Sequence, residues 1–127
     1  MQIVRIGLDI AKNVFQVHGV NEQGKVMVQK QLSRRKVLAY FAQLPACRIG
    51  MEACGSAHYW GRELQKLGHD VRLMAVQLIK PYRTKQKNDR NDAEAVVLAV
   101  RDATMRFVPV KTLEQQARLS RHRMREG

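Results

Sequence analysis

The sequence predicts an α/β domain on a mixed sheet, with elements in the order β-β-β-α-β-α-β-α. Three observations carry this expectation. The first part of the chain holds three β-branched runs of alternating polarity. From Ser33 onward, apolar residues recur at helical spacing and alternate with short strand-like runs. The links between these later elements are short, which favours parallel pairing in the second half.

Ile3 to Asp9 alternates apolar residues and reads as the first strand. Val14 to Val20 reads as the second. Asn21-Glu22-Gln23-Gly24 is a turn signal, so Lys25 to Lys30 returns as the third strand in a hairpin. Ser33 is a plausible N-cap for a helix that presents Val37, Leu38, Phe41 and Leu44 on one face and ends near Pro45. Cys47 to Glu52 is a short, buried strand. Ala57 to Leu67 is a helix with Trp60, Leu64 and Leu67 on one side and Gly68 as its stop. His69 to Val76 is the fifth strand. A polar, lysine-rich loop from about Pro81 to Arg90 leads to a helix over Asn91 to Arg101, with Ala95, Leu98 and Ala99 inward. Phe107 to Val110 is extended. Thr112 to Arg125 reads as a basic helix with few large apolar residues of its own, the start of something that continues. The expected division is a core domain over residues 1–110 and a helical connector over 111–127.

Composition narrows the function. A chain of 127 residues with 45% hydrophobic content forms one domain with a real core and is not a disordered segment. Lys and Arg number 23 against 11 Asp and Glu, which gives a net charge of +12 and a pI near 10.4. That balance predicts a polyanionic partner, nucleic acid first. A membrane-surface protein would want a basic amphipathic helix or a lipidation signal, and neither is present. No apolar run approaches the ~20 residues of a membrane span. The start of the chain reads as a strand rather than a signal peptide, so a cytoplasmic location is expected, with Cys47 and Cys54 as reduced thiols.

The most informative stretch is Gln86-Lys87-Asn88-Asp89-Arg90-Asn91-Asp92-Ala93-Glu94. It sets Asp89 and Asp92 within a segment crowded by Lys80, Arg83, Lys85, Lys87 and Arg90. A site that binds a phosphodiester and cuts it with metal ions needs both signs together. Cations hold the backbone, and carboxylates hold hard, oxygen-seeking ions such as Mg²⁺. Two further carboxylates fit. Asp9 ends the first strand and Glu52 ends the fourth; if those strands are neighbours, the two side chains meet at the sheet's C-terminal edge, where open α/β sheets place ligands. Asp9, Glu52, Asp89 and Asp92 are therefore the candidate catalytic and metal-binding residues, with Mg²⁺ as the expected ion, a two-metal site, and Mn²⁺ as a substitute. Lys12, Lys80, Tyr82, Arg83, Lys85, Lys87 and Arg90 are the candidate nucleic-acid contacts, Tyr82 by stacking. Each carboxylate also has a plainer reading. An aspartate after a strand is commonly a turn residue, and Asp92 can simply cap its helix.

Three blocks carry a resemblance. Gly7-Leu8-Asp9-Ile10-Ala11-Lys12, Gly50-Met51-Glu52-Ala53-Cys54-Gly55-Ser56-Ala57-His58-Tyr59-Trp60 and Lys87-Asn88-Asp89-Arg90-Asn91-Asp92-Ala93 resemble the DEDD family of bacterial insertion-sequence transposases, relatives of pilin-gene invertases. The resemblance covers essentially the whole chain. It implies a ribonuclease H-like fold similar to that of the junction resolvase RuvC, and it matches Asp9, Glu52, Asp89 and Asp92 to the family's four acidic residues. It further implies DNA as substrate, a structured guide RNA in the full-length protein, and a homo-oligomeric assembly. Family members continue into a C-terminal domain that supplies a catalytic serine; neither Ser56 nor Ser120 stands in such a motif, so this chain is expected to be the first part of a longer protein, or a truncated product.

The alternatives remain distinct. A truncated, non-catalytic nucleic-acid-binding fragment fits the same charge. A RuvC-like junction nuclease shares the fold and metal chemistry but has no need of the basic final helix. An actin-like or sugar-kinase ATPase would need a glycine- and hydroxyl-rich turn where this chain has Ile10-Ala11-Lys12-Asn13. Cys54 and His58 stand four apart and could share a metal-binding helix face, but only Cys47 is left to complete a zinc site. His58-Tyr59-Trp60 reads as packing before it reads as a base platform.

Overall fold

The computed structural model describes residues 2–83 and 92–118. Three strands, β1 (Arg5–Ile10), β2 (Val14–Val20) and β3 (Val26–Ser33), form an antiparallel meander. The turn between β2 and β3 is held by Asn21, whose side-chain oxygen accepts hydrogen bonds from the Gln23 and Lys25 amides at 3.0 and 2.9 Å. A 3₁₀ turn (Arg34–Lys36) leads into helix α1 (Val37–Ala42), which is shorter than the sequence suggests. Ser33 precedes that turn in extended conformation, but its side chain makes no capping hydrogen bond. The chain then forms β4 (Arg48–Glu52), α2 (Gly55–Lys66) and β5 (Asp70–Met74). Both β1–β4 and β4–β5 pair in parallel, giving one mixed sheet in the order β3-β2-β1-β4-β5. The fold class is that expected from the sequence, a mixed α/β architecture of the ribonuclease H-like kind.

Two helical layers sandwich the sheet. On one face α1 and α2 bury Val37, Phe41, Ala57, Trp60 and Leu64 against Ile6, Leu8, Phe15 and Val17. Full burial of one such side chain contributes roughly 1.5–3 kcal/mol. Phe15 and Trp60 meet edge to face, with centroids 5.0 Å apart. On the other face lies α4 (Asp92–Arg101), with Ala95, Val96, Val97, Ala99 and Val100 in a second core beside Met74 and Ile79.

One element departs from the expected order. The fifth strand ends at Met74, and α3 (Val76–Arg83) follows, a helix the sequence reading does not place between β5 and the helix over Asn91 to Arg101. The final residues of the expected Pro81–Arg90 loop's first turn, Pro81 to Arg83, are helical; residues 84–90 lie outside the described residues. Pro81 sits inside α3 although a helix-interior proline costs about 3 kcal/mol. Spacing explains the outcome: Val76, Ile79 and Tyr82 recur every third residue, Ile79 is fully buried, and Tyr82 packs on the same core.

The chain after α4 runs back across the sheet's edge. Val108 bridges antiparallel to Leu73, and the Lys111 amide donates to His58 Nδ1 at 3.0 Å. Residues 113–118 are helical. Their start is a capping box: the Gln115 amide donates to Thr112 Oγ1 at 3.1 Å, and the Thr112 amide to Gln115 Oε1 at 2.9 Å. Among the described residues no helix is long and apolar enough to cross a membrane.

Candidate catalytic site and nucleic-acid interface

The site begins with a repeated sequence pattern. Gly7-Leu8-Asp9 on β1 and Gly50-Met51-Glu52 on β4 run side by side, with Gly7 opposite Gly50 and Leu8 opposite Met51. Side chains alternate faces along a strand, so each carboxylate shares a face with the glycine two residues before it. That face receives α4. A Cβ on Gly7 would lie 2.1 Å from the Ala93 carbonyl oxygen, and one on Gly50 would lie 2.9 Å from the Val100 Cβ. The two glycines thus form a bare floor on which the helix rests backbone to backbone. This seating brings the helix's first residue, Asp92, over the ends of β1 and β4, where Asp9 and Glu52 stand.

Arg83, the last residue of α3, reaches into the same place. Its Nη2 donates to Glu52 Oε2 at 2.8 Å, and its Nε lies 3.4 Å from Asp92 Oδ1. The second contact is ionic only, since Nε has no hydrogen-bond partner among the described residues. The three side chains are 26% (Arg83), 36% (Glu52) and 39% (Asp92) exposed, so water only partly screens them. Burial raises the Asp9 pKa; Asp92 and Glu52 push it further up, against the pull of Arg83. Burial works against the charge on Arg83, but the hydrogen bond to Glu52 and the fields of Asp92 and Asp9 leave it more firmly protonated than a free arginine. Three acidic residues and one arginine therefore form a single electrostatic unit.

The remaining candidates are placed differently. Asp89, Lys85, Lys87 and Arg90 lie outside the described residues. Lys12 is exposed in the turn after β1, and Lys80 is exposed on α3. Arg83 is engaged with carboxylates in this arrangement. Tyr82 is also engaged: its ring packs on the α4 core and its hydroxyl donates to Asp102 at 2.5 Å, which raises the phenol's pKa. Asp102, which also accepts from the Thr104 amide and hydroxyl, is held down at about 2. His58 takes the Lys111 amide proton bond, while Cys54 is exposed beside Ser56, so the two share no ligand geometry with each other.

The structure brings three of the four expected carboxylates, Asp9, Glu52 and Asp92, to one end of the sheet, and adds two supports the sequence reading does not contain. Arg83 was grouped with the phosphate-binding cations because nothing in its own neighbourhood distinguishes it from Lys80 or Lys85. The glycine floor did leave a signal, the Gly-x-acid pattern at the end of two strands.

The donor chemistry suits a hard divalent cation: oxygen ligands only, held close enough to raise the Asp9 pKa. Among the described residues, no three His, Cys, Asp or Glu side chains are yet spaced to hold an ion. The arginine takes up the charge there.

Comparison with known proteins places these features in a wider group. The family model for IS110-type DEDD transposases, described as "Transposase", matches residues 6–125. A protein of Pseudomonas aeruginosa described as a probable family 20 transposase is 56% identical over 125 residues, covering 98% of this chain and 37% of the relative. The transposase for insertion sequence element IS1111A of Coxiella burnetii is 44% identical over 111 residues, covering 87% of this chain and 30% of the relative. The transposase for insertion sequence element IS1328 of Yersinia enterocolitica is 36% identical over 125 residues, covering 98% and 37%. The chain spans about a third of the length of these relatives.

Proposed function

The chain belongs to the IS110-type DEDD transposase family, and from that premise we propose that it is the phosphodiester-cleaving part of a DNA recombinase that works with divalent cations. The observation that carries the proposal is the gathering of Asp9, Glu52 and Asp92 around Arg83 at one end of the sheet. Asp9 and Glu52, on adjacent rigid strands, and Asp92, on a helix seated by glycines, are the residues that would hold Mg²⁺ or Mn²⁺, with Asp89 as a fourth. Divalent ions bound there offset the negative charge that builds at phosphorus during displacement.

The chain's own residues do the rest. Asp9 and Glu52, on adjacent strands, would hold the divalent ions at a fixed place on the sheet. Arg83 holds the acidic residues together without metal, and once they are otherwise neutralised its guanidinium is free for a phosphate oxygen, in the bidentate manner arginine favours. Lys12, Lys80, Lys85, Lys87 and Arg90 supply the sequence-independent grip on the DNA backbone. Residues 111–127 are read as the start of a connector. A structured guide RNA and a homo-oligomeric assembly are assigned to the longer protein on family resemblance.

A second reading, a nucleic-acid-binding piece without chemistry of its own, is favoured by one observation: Arg83 already pairs with Glu52 and Asp92. One experiment separates the two. Incubated with branched duplex DNA, this chain should nick a strand in Mg²⁺ or Mn²⁺ and not in chelator, and Asp9→Asn and Glu52→Gln should bind but not nick. Binding without nicking in either metal selects the second reading.

A further inference from the structure

A cavity of about 610 Å³ opens on the sheet's other face, lined by Asn13, Ser33, Arg34, Arg35, Tyr59 and Trp60 among others. Its chemistry is unlike that of an ordinary surface dent. The Arg34 guanidinium lies over the Trp60 ring, 5.4 Å from its centroid. Tyr59 stands edge-on to Trp60, with centroids 5.2 Å apart, and is itself 44% exposed. Trp60 is 4% exposed, and its buried Nε1–H has no acceptor among the described residues. An aliphatic occupant would offer no anion to the two arginines that line the cavity. A flat ring joined to an anion offers a stacking surface to Tyr59 and a charge partner to both.

The cavity also lies at the active end of the sheet. The Arg34 amide donates to the Asn13 carbonyl at 3.0 Å, and its Nη1 to the Lys12 carbonyl at 3.4 Å. Lys12 and Asn13 form the turn that directly follows the Asp9 strand, no more than about 14 Å of extended chain from Asp9. Asp9 looks toward α4, and Trp60 belongs to the opposite layer. A single strand passing over this edge therefore offers one nucleotide to each.

We propose that this cavity binds an unpaired nucleobase, stacked on Tyr59 beside the Arg34–Trp60 pair, with Arg34 and Arg35 on the adjoining phosphate. The inference rests on the nucleic-acid reading above and adds a site to it. An unpaired nucleotide can come from DNA or RNA, and base stacking on an aromatic ring accepts either.

Trp60 is the chain's single tryptophan, so its emission reports on the cavity directly. The 127-residue chain is titrated with a short single-stranded DNA, the RNA of the same sequence, the DNA with abasic sites, and the duplex, following emission and anisotropy together. Single strands should change Trp60 emission, and duplex and abasic strands should not. Tyr59→Ala should weaken single-strand binding between about 5- and 150-fold, the range for losing one stacked base, with duplex binding unchanged. Tyr59→Phe should restore it, and Arg34→Gln should weaken it. A tighter grip on DNA or on RNA would identify the source. Unchanged emission with binding intact by anisotropy, or wild-type single-strand affinity in both Tyr59→Ala and Arg34→Gln, overturns the cavity proposal and leaves the proposed function standing. Failure to bind any nucleic acid overturns both.

Discussion

Arg83 Nη2 stands 2.8 Å from Glu52 Oε2 and joins the end of α3 to the end of β4. The arginine thereby supplies, from inside the chain, positive charge that the acidic cluster needs. Arg83→Gln should lower thermal stability in chelator, by about 1 kcal/mol given that the pair is partly exposed. It should also increase the stabilisation produced by Mg²⁺ or Mn²⁺, because the metal then has no internal rival. Melting curves with and without metal check both effects. Equal melting temperatures and equal metal responses in the two proteins would reduce the contact to a surface ion pair.

Asp9 is a half-buried member of the cluster, and the sign of its pH dependence follows from its shift. Its folded pKa is raised, chiefly by burial, so the ionised form is disfavoured in the folded state. The stability it contributes is fully present below the ordinary value near 3.8 and is lost as pH rises through the folded value. Asp9→Asn should therefore melt higher than the parent at pH 7 in chelator, show a smaller loss on raising the pH from 4, and lose the response to divalent ions. Loss of more than about 1 kcal/mol in chelator would instead mark Asp9 as a structural cap.

Gly7 tests the seat of α4. Gly7→Ala places a methyl carbon where the Ala93 carbonyl oxygen is 2.1 Å away and the Val97 amide nitrogen 2.7 Å away, both backbone atoms that cannot swing aside. The helix must lift, and with it Asp92. A cost of about 3 kcal/mol or more is expected, at or above the top of the usual overpacking range. Denaturant titration measures it, and a cost below about 1 kcal/mol would show that α4 is more loosely seated than its contacts imply.

Much of this was legible in the sequence, for physical reasons. The five strands announce themselves through alternation and β-branching, and adjacency of β1 and β4 follows from a meander followed by parallel crossover units. What brought Asp9 and Glu52 to one face was visible as two Gly-x-acid endings. Helix α3 was hidden because Pro81 and the basic run beyond it read as a loop, while the packing that overrides them depends on where α4 lies. The pairing of Arg83 with Glu52 and of Tyr82 with Asp102 was hidden for the same reason: partners 31 and 20 residues apart leave no local pattern.

Tyr82→Phe separates packing from recognition. The ring stays in the core beside α4, and only the hydroxyl's bond to Asp102 is lost. A modest fall in melting temperature is expected, because the lost bond lies near the surface. Affinity for single- and double-stranded DNA should be unchanged, as judged by anisotropy. A clear fall in DNA affinity with stability intact would return Tyr82 to the nucleic-acid interface.

His58 gives the fold an acid-sensitive joint. It is buried under the strap formed by residues 107–111, and its Nδ1 accepts the Lys111 amide, which requires the neutral ring at that nitrogen. Burial, with Lys111 and Arg62 nearby, lowers its pKa below 6.5. The unfolded chain thus takes up a proton first, and stability present above 6.5 is lost as pH falls through the folded value. His18, lowered by burial on β2, adds a slope of the same sign. His58→Asn keeps an acceptor for the Lys111 amide but cannot titrate. Its melting temperature should fall less than the parent's between pH 7.5 and 5, with the His18 contribution remaining. If the mutant keeps the parent's full acid slope, the joint at Lys111 opens without protonation of His58, and the acid sensitivity belongs to His18 or to the acidic residues.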